Sequence, residues 1–302
     1  MNHWQKDRIV AIVDGAAEFD YPMSRFTVAG VGGKVDALCR VRHTAALEDL
    51  VVFLTEQHIP YFPLGKGSNV LVTDRGFRGV VIVLEGKLSQ VEDLEESRDK
   101  VRAGAGLALG KLLDFCRSRG LGGLEFLAGI PGTVGGAIAM NAGAFGCEFG
   151  GLTEEVRVVL PGGESKTLKA AELEFSYRSL SLPKGAIITM ATMRLRPGEP
   201  ERIALKISRN LRSRRERQPL GYPSCGSVFK NPSGDFAGRL IEESGLKGRK
   251  AGGAMISPKH ANFIVNTGGA RARDFLRLME LARRTVKERT GIELEPEIRV
   301  IG

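Results

Sequence analysis

Apolar residues recur along this chain at helical spacing in some stretches and in short runs elsewhere. Across 272–290, Phe275, Met279, Ala282 and Val286 fall on one helical face, and Gly291 is placed to stop the helix. Leu47, Leu50, Val51 and Leu54 follow the same spacing behind Thr44, an N-cap candidate. Leu109, Leu112, Leu113 and Cys116 mark a helix ending near Gly120. Shorter helices are predicted over 203–217, a strongly basic stretch, and over 235–244, stopped by Gly245. The stretch 28–41 reads as strand, turn, strand; 70–73 and 80–84 read as strands joined by a turn at 74–79. Further strands are predicted at 101–105, 186–195 and 298–301, and the charged stretch 92–100 reads as an exposed turn. Residues 156–160 and 166–168 flank Pro161-Gly162-Gly163, a hairpin signature. Helices and strands mix without strict βαβ alternation, so the predicted class is α+β and not a doubly wound parallel sheet.

Composition narrows the picture. A length of 302 residues suits two domains or three small ones, and 42% hydrophobic with 26% charged residues is ordinary for a globular chain. No apolar run approaches the ~20 residues a membrane span needs, and residues 1–20 lack the apolar block of a signal peptide. A cytoplasmic protein is expected. No two of Cys39, Cys116, Cys147 and Cys225 are close in sequence, and the histidines form no ligand spacing, so reduced thiols and no metal are expected. The net charge of +9 suits nucleic acid, an anionic membrane surface or a polyanionic small molecule. The basic stretch 212–217 has no aromatic interleaving, and an anionic small-molecule substrate explains the same surplus. Neither nucleic acid nor membrane is expected as a partner.

Glycine is the informative residue. The 39 glycines are about twice the ~7% background, and they cluster at 30–33, 65–67, 120–123, 129–136 and 143–151. No glycine-lysine pair precedes a serine or threonine, which excludes a P-loop. Gly104-Ala105-Gly106 lacks the third glycine of the Rossmann fingerprint. Any one cluster taken alone reads first as a structural turn; five in one chain point further. Glycine-rich turns let a ligand approach the main chain, and their amides form nests for phosphate. The loop Gly65-Lys66-Gly67-Ser68-Asn69 offers Ser68 and Asn69 to a pyrophosphate. The second loop carries Gly129, Pro131, Gly132, Thr133, Gly136 and Ala137, and continues through Asn141, Gly143 and Gly146, small residues against which a flat ring could lie. Neither loop holds a histidine or cysteine able to tether a bound cofactor covalently.

The order of motifs then becomes recognisable. Gly120-Leu121-Gly122-Gly123-Leu124-Glu125-Phe126 through Asn141-Ala142-Gly143-Ala144-Phe145-Gly146 resembles the central signature of the UDP-N-acetylenolpyruvoylglucosamine reductases. Thr27 with Gly32-Gly33 and the loop 65–69 resemble earlier elements of that family. Tyr177-Arg178, Gly226-Ser227-Val228-Phe229-Lys230-Asn231-Pro232 and Leu294-Glu295-Pro296-Glu297 follow in the family's order, so that the resemblance covers residues 22–302. Gly30 stands where a basic residue is common and Leu180 where serine is usual. The short stretch from Arg178 to Ser227 suits the subgroup without an extra substrate-covering loop.

The resemblance implies a two-part FAD-binding region of the vanillyl-alcohol-oxidase type plus a C-terminal substrate-binding domain. The corresponding divisions are 1–87, 88–197 and 198–302, the last ending in a strand that returns to the active site. It implies non-covalent FAD, NADPH as reductant, UDP-N-acetylenolpyruvoylglucosamine as substrate, and a monomer or weak oligomer. In the family reaction, charge developing at C2 of the enolpyruvyl group spreads onto its carboxylate. Arg178 suits that carboxylate through a planar guanidinium, with Tyr177 orienting it or the substrate. Ser227 is the implied proton donor, needing a polarising neighbour such as Lys230 or a water. Glu297 is the implied stabiliser of the enolate; on a strand Glu295 would share its face, and motif position alone selects Glu297. Arg217, Lys230, Asn231 and His260 supply donors for the nucleotide sugar. Without the family, Arg178 reads as a surface arginine, Ser227 as a turn serine and His260 as a structural histidine. Another flavoenzyme of the same superfamily would share the glycine loops but not these later motifs. A basic nucleic-acid-binding protein gives the loops no role.

Overall fold

The computed structural model of the chain describes residues 1–94 and 97–302. Two compact units emerge, each assembled from three segments. The first comprises Met1–Phe19, Asp36–Gly65 and Gly79–Arg212; the second comprises Asp20–Val35, Lys66–Arg78 and Ser213–Gly302.

At the centre of the first unit lies a five-stranded antiparallel sheet in the order Ser165–Lys169, Thr153–Val159, Ile187–Arg194, Lys100–Gly104, Val91–Asp93. Val156, Val158 and Val159 are buried, and the expected hairpin closes with Val159 opposite Ser165. A second sheet runs Ala17–Pro22, Lys34–Val41, Phe77–Leu84, Tyr61–Pro63, its last pair parallel with Tyr61 opposite Val80. The helix Thr44–Glu56 forms as its spacing predicts and buries Leu47, Leu50, Val51 and Leu54 in one cluster with Ile82 and Val158. Burying each such side chain favours folding by about 1.5–3 kcal/mol.

The second unit is built on the antiparallel sheet Ser224–Ser227, Phe263–Asn266, Ala254–Ile256, Lys250–Ala251. The helix Ala272–Thr290 seals it with Phe275, Leu278, Met279, Ala282 and Val286, and stops at Gly291, whose φ of 73° suits glycine. The strand Val70–Val72 pairs in parallel with Arg299–Ile301, and Leu71 is buried in the same cluster as Phe229, Ile264 and Phe275. The predicted α+β class holds, with antiparallel sheets predominating among the described residues.

Local expectations fail where long-range pairing decides. Residues 28–33 form no strand: Val28 N donates to Gly67 O and Gly33 N to Thr73 O, so their amides serve loops. The strands at 70–72 and 77–84 do not pair with each other but join different sheets. His43, not Thr44, caps its helix, its Nδ1 accepting from Ala46 N at 3.2 Å. Glu92 lies in the edge strand Val91–Asp93 and not in a turn, because the adjacent strand Lys100–Gly104 supplies its ladder partners. Glu95 and Glu96, within that expected turn, lie outside the described residues. Among the described residues no helix is long and apolar enough to cross a membrane.

Candidate active site

In the first unit, Tyr177 and Arg178 form the two-residue turn between the strands Glu174–Ser176 and Ser179–Ser181, which close with Ser176 opposite Ser179. Arg178 is left-handed, with φ of 59°. Such a backbone costs on the order of 1–3 kcal/mol and persists only where its surroundings hold it. Here Arg178 Nη2 donates to Gly143 O at 3.0 Å, and its guanidinium lies 5.0 Å from the Tyr177 ring centroid. A Cβ on Gly143 would fall 2.7 Å from Cys147 O and 2.9 Å from Arg178 Nη1, so the backbone at this corner requires glycine. Asn141 and Phe145, in the same corner, are left-handed as well.

Asn141 is the buried anchor of this corner. Its Nδ2 donates to Glu148 Oε2 and to Ser176 O, both at 2.9 Å, and its Oδ1 accepts from Gly150 N. The side chain thus ties the glycine-rich stretch to the strand that leads into the Tyr177-Arg178 turn.

The two glycine loops meet at Gly65 and Thr133: a Cβ on Gly65 would lie 2.6 Å from Thr133 Oγ1. Thr133 caps the helix Val134–Ala139, its Oγ1 accepting from Gly136 N. Gly129, Pro131 and Gly136 are exposed. A Cβ on Gly136 would meet only Thr133 Oγ1 at 3.5 Å, and one on Gly146 would meet nothing within 4 Å. Ala137 is buried beneath them and Gly132 is half-buried.

In the second unit, residues 227–230 run antiparallel beside residues 295–297. Glu297 N donates to Val228 O at 2.8 Å, Lys230 N donates to Glu295 O at 2.9 Å, and Phe229 bridges Pro296. The fold therefore makes Ser227 and Glu297 neighbours on adjacent segments. Both are half-buried, whereas Glu295 is exposed. Lys230 Nζ pairs with Glu295 Oε1 at 2.5 Å. Asn69 supports the same edge: its Nδ2 donates to Glu297 O at 3.1 Å and its carbonyl accepts from Arg299 N. The adjoining Lys66 is exposed, Gly67 is buried with φ of 65°, and Ser68 is half-buried.

Three of the residues expected at the nucleotide sugar, Arg217, Asn231 and His260, come from separate stretches of the second unit's segment Ser213–Gly302. Asn231 Oδ1 accepts from Ala237 N at the start of a short helix. His260 packs edge-on to Phe263, and its Nδ1 accepts from Asn262 N at 3.3 Å. Burial, then the nearby Lys247 charge, hold its pKa below the ordinary histidine value. Arg217 is exposed at the end of the helix Pro200–Arg217. Cys39, Cys116 and Cys225 are buried, and burial pushes their thiols up to about 12.

Comparison with known proteins decides the family. Residues 218–301 match the UDP-N-acetylenolpyruvoylglucosamine reductase C-terminal domain, and residues 35–169 match an FAD binding domain. The chain is 45% identical over 299 residues to the UDP-N-acetylenolpyruvoylglucosamine reductase of Syntrophus aciditrophicus, covering 98% of this chain and 96% of that protein. The chain belongs to the UDP-N-acetylenolpyruvoylglucosamine reductase family. It is 44% identical to the reductase of Geobacter metallireducens, over 100% of this chain and 99% of that one. The crystal structure of the Thermus caldophilus reductase superposes with a TM-score of 0.81 at 39% identity, covering 93% of this chain and 98% of its own.

Membership makes the chain an FAD-dependent oxidoreductase whose FAD-binding region is of the vanillyl-alcohol-oxidase type. The glycine loops fit that cofactor. Their main chain is uncovered at Gly136 and Gly146, and the two loops contact one another where only glycine is accommodated. What sequence reasoning missed is the scaffolding. Asn262 holds the backbone of Phe229, and Asp74 accepts from Ala272 N and Arg273 N at the helix start. Asn262 stands beside His260 in sequence, but its partner lies 33 residues away.

Proposed function

We propose that this chain reduces UDP-N-acetylenolpyruvoylglucosamine to UDP-N-acetylmuramate in peptidoglycan precursor synthesis, in the cytoplasm, with NADPH as reductant. The observation that carries the reading is the pairing of Glu297 N with Val228 O, which makes the implied acid Ser227 and the implied stabiliser Glu297 neighbours. When bound, FAD supplies hydride transfer from NADPH to C3 of the enolpyruvyl group.

The remaining work belongs to the chain. Arg178 holds the substrate carboxylate and gains strength as negative charge spreads onto it, because donors fixed in advance need no reorganisation. Its fixed backbone and the Gly143 carbonyl supply that fixity. Ser227 delivers a proton to C2. Glu297, half-buried, donates a hydrogen bond to the enolate from its protonated form. Tyr177, Arg217, Lys230, Asn231 and His260 recognise the nucleotide sugar. Residues 65–69, with Gly129, Pro131, Gly132, Thr133, Gly136, Ala137, Asn141, Gly143 and Gly146, cradle FAD without a covalent bond. In this reading residues 1–87 and 88–197 hold FAD, residues 198–302 hold the nucleotide sugar, and the enzyme acts as a monomer or weak oligomer.

The test is an anaerobic visible spectrum of the purified protein. NADPH should bleach the flavin band, and UDP-N-acetylenolpyruvoylglucosamine should restore it. A band that bleaches and does not return with this substrate would assign the chain to another flavin-dependent reaction.

A further inference from the structure

The strand Ser224–Ser227 stops being regular just where its last residue matters. Its pairing with Phe263–Asn266 is interrupted between Ser224 and Ser227, and Gly226 there has φ of 76°. Beyond Ser227 the hydrogen bonds pass to Asn262. Val228 N donates to Asn262 O at 2.9 Å. Phe229 N donates to Asn262 Oδ1 at 3.0 Å, and Asn262 Nδ2 donates to Phe229 O at 2.8 Å. The side-chain amide of Asn262 therefore imitates one residue of a neighbouring strand. Asn262 is 4% exposed, so water does not compete for these bonds.

We propose that Asn262 is a positioning residue for Ser227. The inference rests on the reading that Ser227 is the proton donor. Ser227 lies between an irregular, glycine-containing step and the Asn262 clamp, and the direction of its Cα–Cβ bond, from which the hydroxyl extends, follows from the backbone they define. On the opposite side the same segment meets Glu297 and Glu295 through Val228 O and Lys230 N. Asn262 thus holds the free edge of the segment while the other edge carries the second catalytic group. The amide satisfies Phe229 N and Phe229 O together, as an ionised or apolar side chain cannot. Ionised aspartate keeps the acceptor and loses the donor; alanine loses both.

Asn262→Asp and Asn262→Ala are compared with the unaltered enzyme and with Ser227→Ala. Each is loaded with FAD, reduced with stoichiometric dithionite, and mixed anaerobically with UDP-N-acetylenolpyruvoylglucosamine in H2O and in D2O. Flavin content and cooperative thermal unfolding report folding; Asn262→Asp, which keeps the side chain's size, carries the test where the alanine variant does not fold. The limiting rate of reoxidation should fall about 10- to 100-fold, the effect of a small misplacement. The half-saturating substrate concentration should barely change, and the solvent isotope effect should rise as proton delivery becomes the slow step. Unchanged reoxidation in Asn262→Asp, or a loss expressed only as weaker substrate binding, would overturn the proposal. If Ser227→Ala itself reoxidised normally, the proton-donor reading would fall; its loss beside an intact Asn262→Asp would remove the positioning role alone.

Discussion

Lys230 and Glu295 form an ion pair, Nζ to Oε1 at 2.5 Å, so that of the two carboxylates flanking Pro296 it is Glu295 that meets the lysine. Glu295 is exposed, and such a pair contributes at most about 1 kcal/mol. Glu295→Gln should therefore leave substrate-driven flavin reoxidation within a few-fold of normal, on the order of that energy. Glu297→Gln and Ser227→Ala should retain FAD, accept electrons from NADPH, and lose reoxidation by roughly 10²- to 10⁴-fold. Rapid-mixing absorbance of the two half-reactions separates these outcomes. Equal losses at Glu295 and Glu297 would contradict the assignment.

Arg178 should not be replaceable by lysine. The ammonium of lysine has no planar fork to span Gly143 O and a substrate carboxylate, and it is a poorer partner for the Tyr177 ring. Arg178→Lys should lower the limiting rate of reoxidation by about 10²-fold while flavin reduction proceeds. A variant that lost only substrate affinity would demote Arg178 to a binding residue.

Gly65→Ala probes the meeting of the two glycine loops. The added methyl would start 2.6 Å from Thr133 Oγ1, closer than packed atoms approach. Thr133 must swing away, which gives up its cap on Gly136 N. The purified variant should carry less flavin per chain than the unaltered protein, measured by absorbance after desalting. Full flavin content would mean the loops yield without disturbing the cofactor site.

His260 supplies a pH dependence with a definite sign. Its pKa in the folded chain lies below the ordinary value, so the unfolded chain binds the proton more tightly. Stability contributed by keeping His260 neutral is full above the unfolded value of about 6.5. It declines as pH falls below that value towards the folded one. His260→Gln should show a smaller drop in Tm between neutral and mildly acidic pH. An identical drop would mean the acid sensitivity resides in other groups.

Much of this fold was legible because its signals are local. The helix Ala272–Thr290 announces itself through one apolar stripe and a left-handed glycine, and the hairpin around Pro161-Gly162-Gly163 through its turn residues. The strand Ala17–Pro22 and the edge strand Val91–Asp93 escaped notice because partners elsewhere in the chain make them strands. The site divides likewise. Glycine loops and the order of motifs revealed the residue types, but nothing near Asn262 in sequence indicates that its amide closes on Phe229. Asn141 illustrates the same limit: its place in a glycine-rich motif marked it for the cofactor, but nothing there indicated the side-chain bonds with which it braces Glu148, Ser176 and Gly150.

The second unit also has a history imposed by its connectivity. Its segments at 20–35 and 66–78 are synthesised well before 213–302, which supply most of its core. The strand Val70–Val72 must wait for Arg299–Ile301 to emerge before its parallel partner exists. Contacts so distant in sequence make folding slow and leave apolar edges uncovered meanwhile. The segment bearing Glu297 is thus made after every residue of the first unit, and a nascent chain stalled before it would hold a completed first unit and an apolar, unsealed second one.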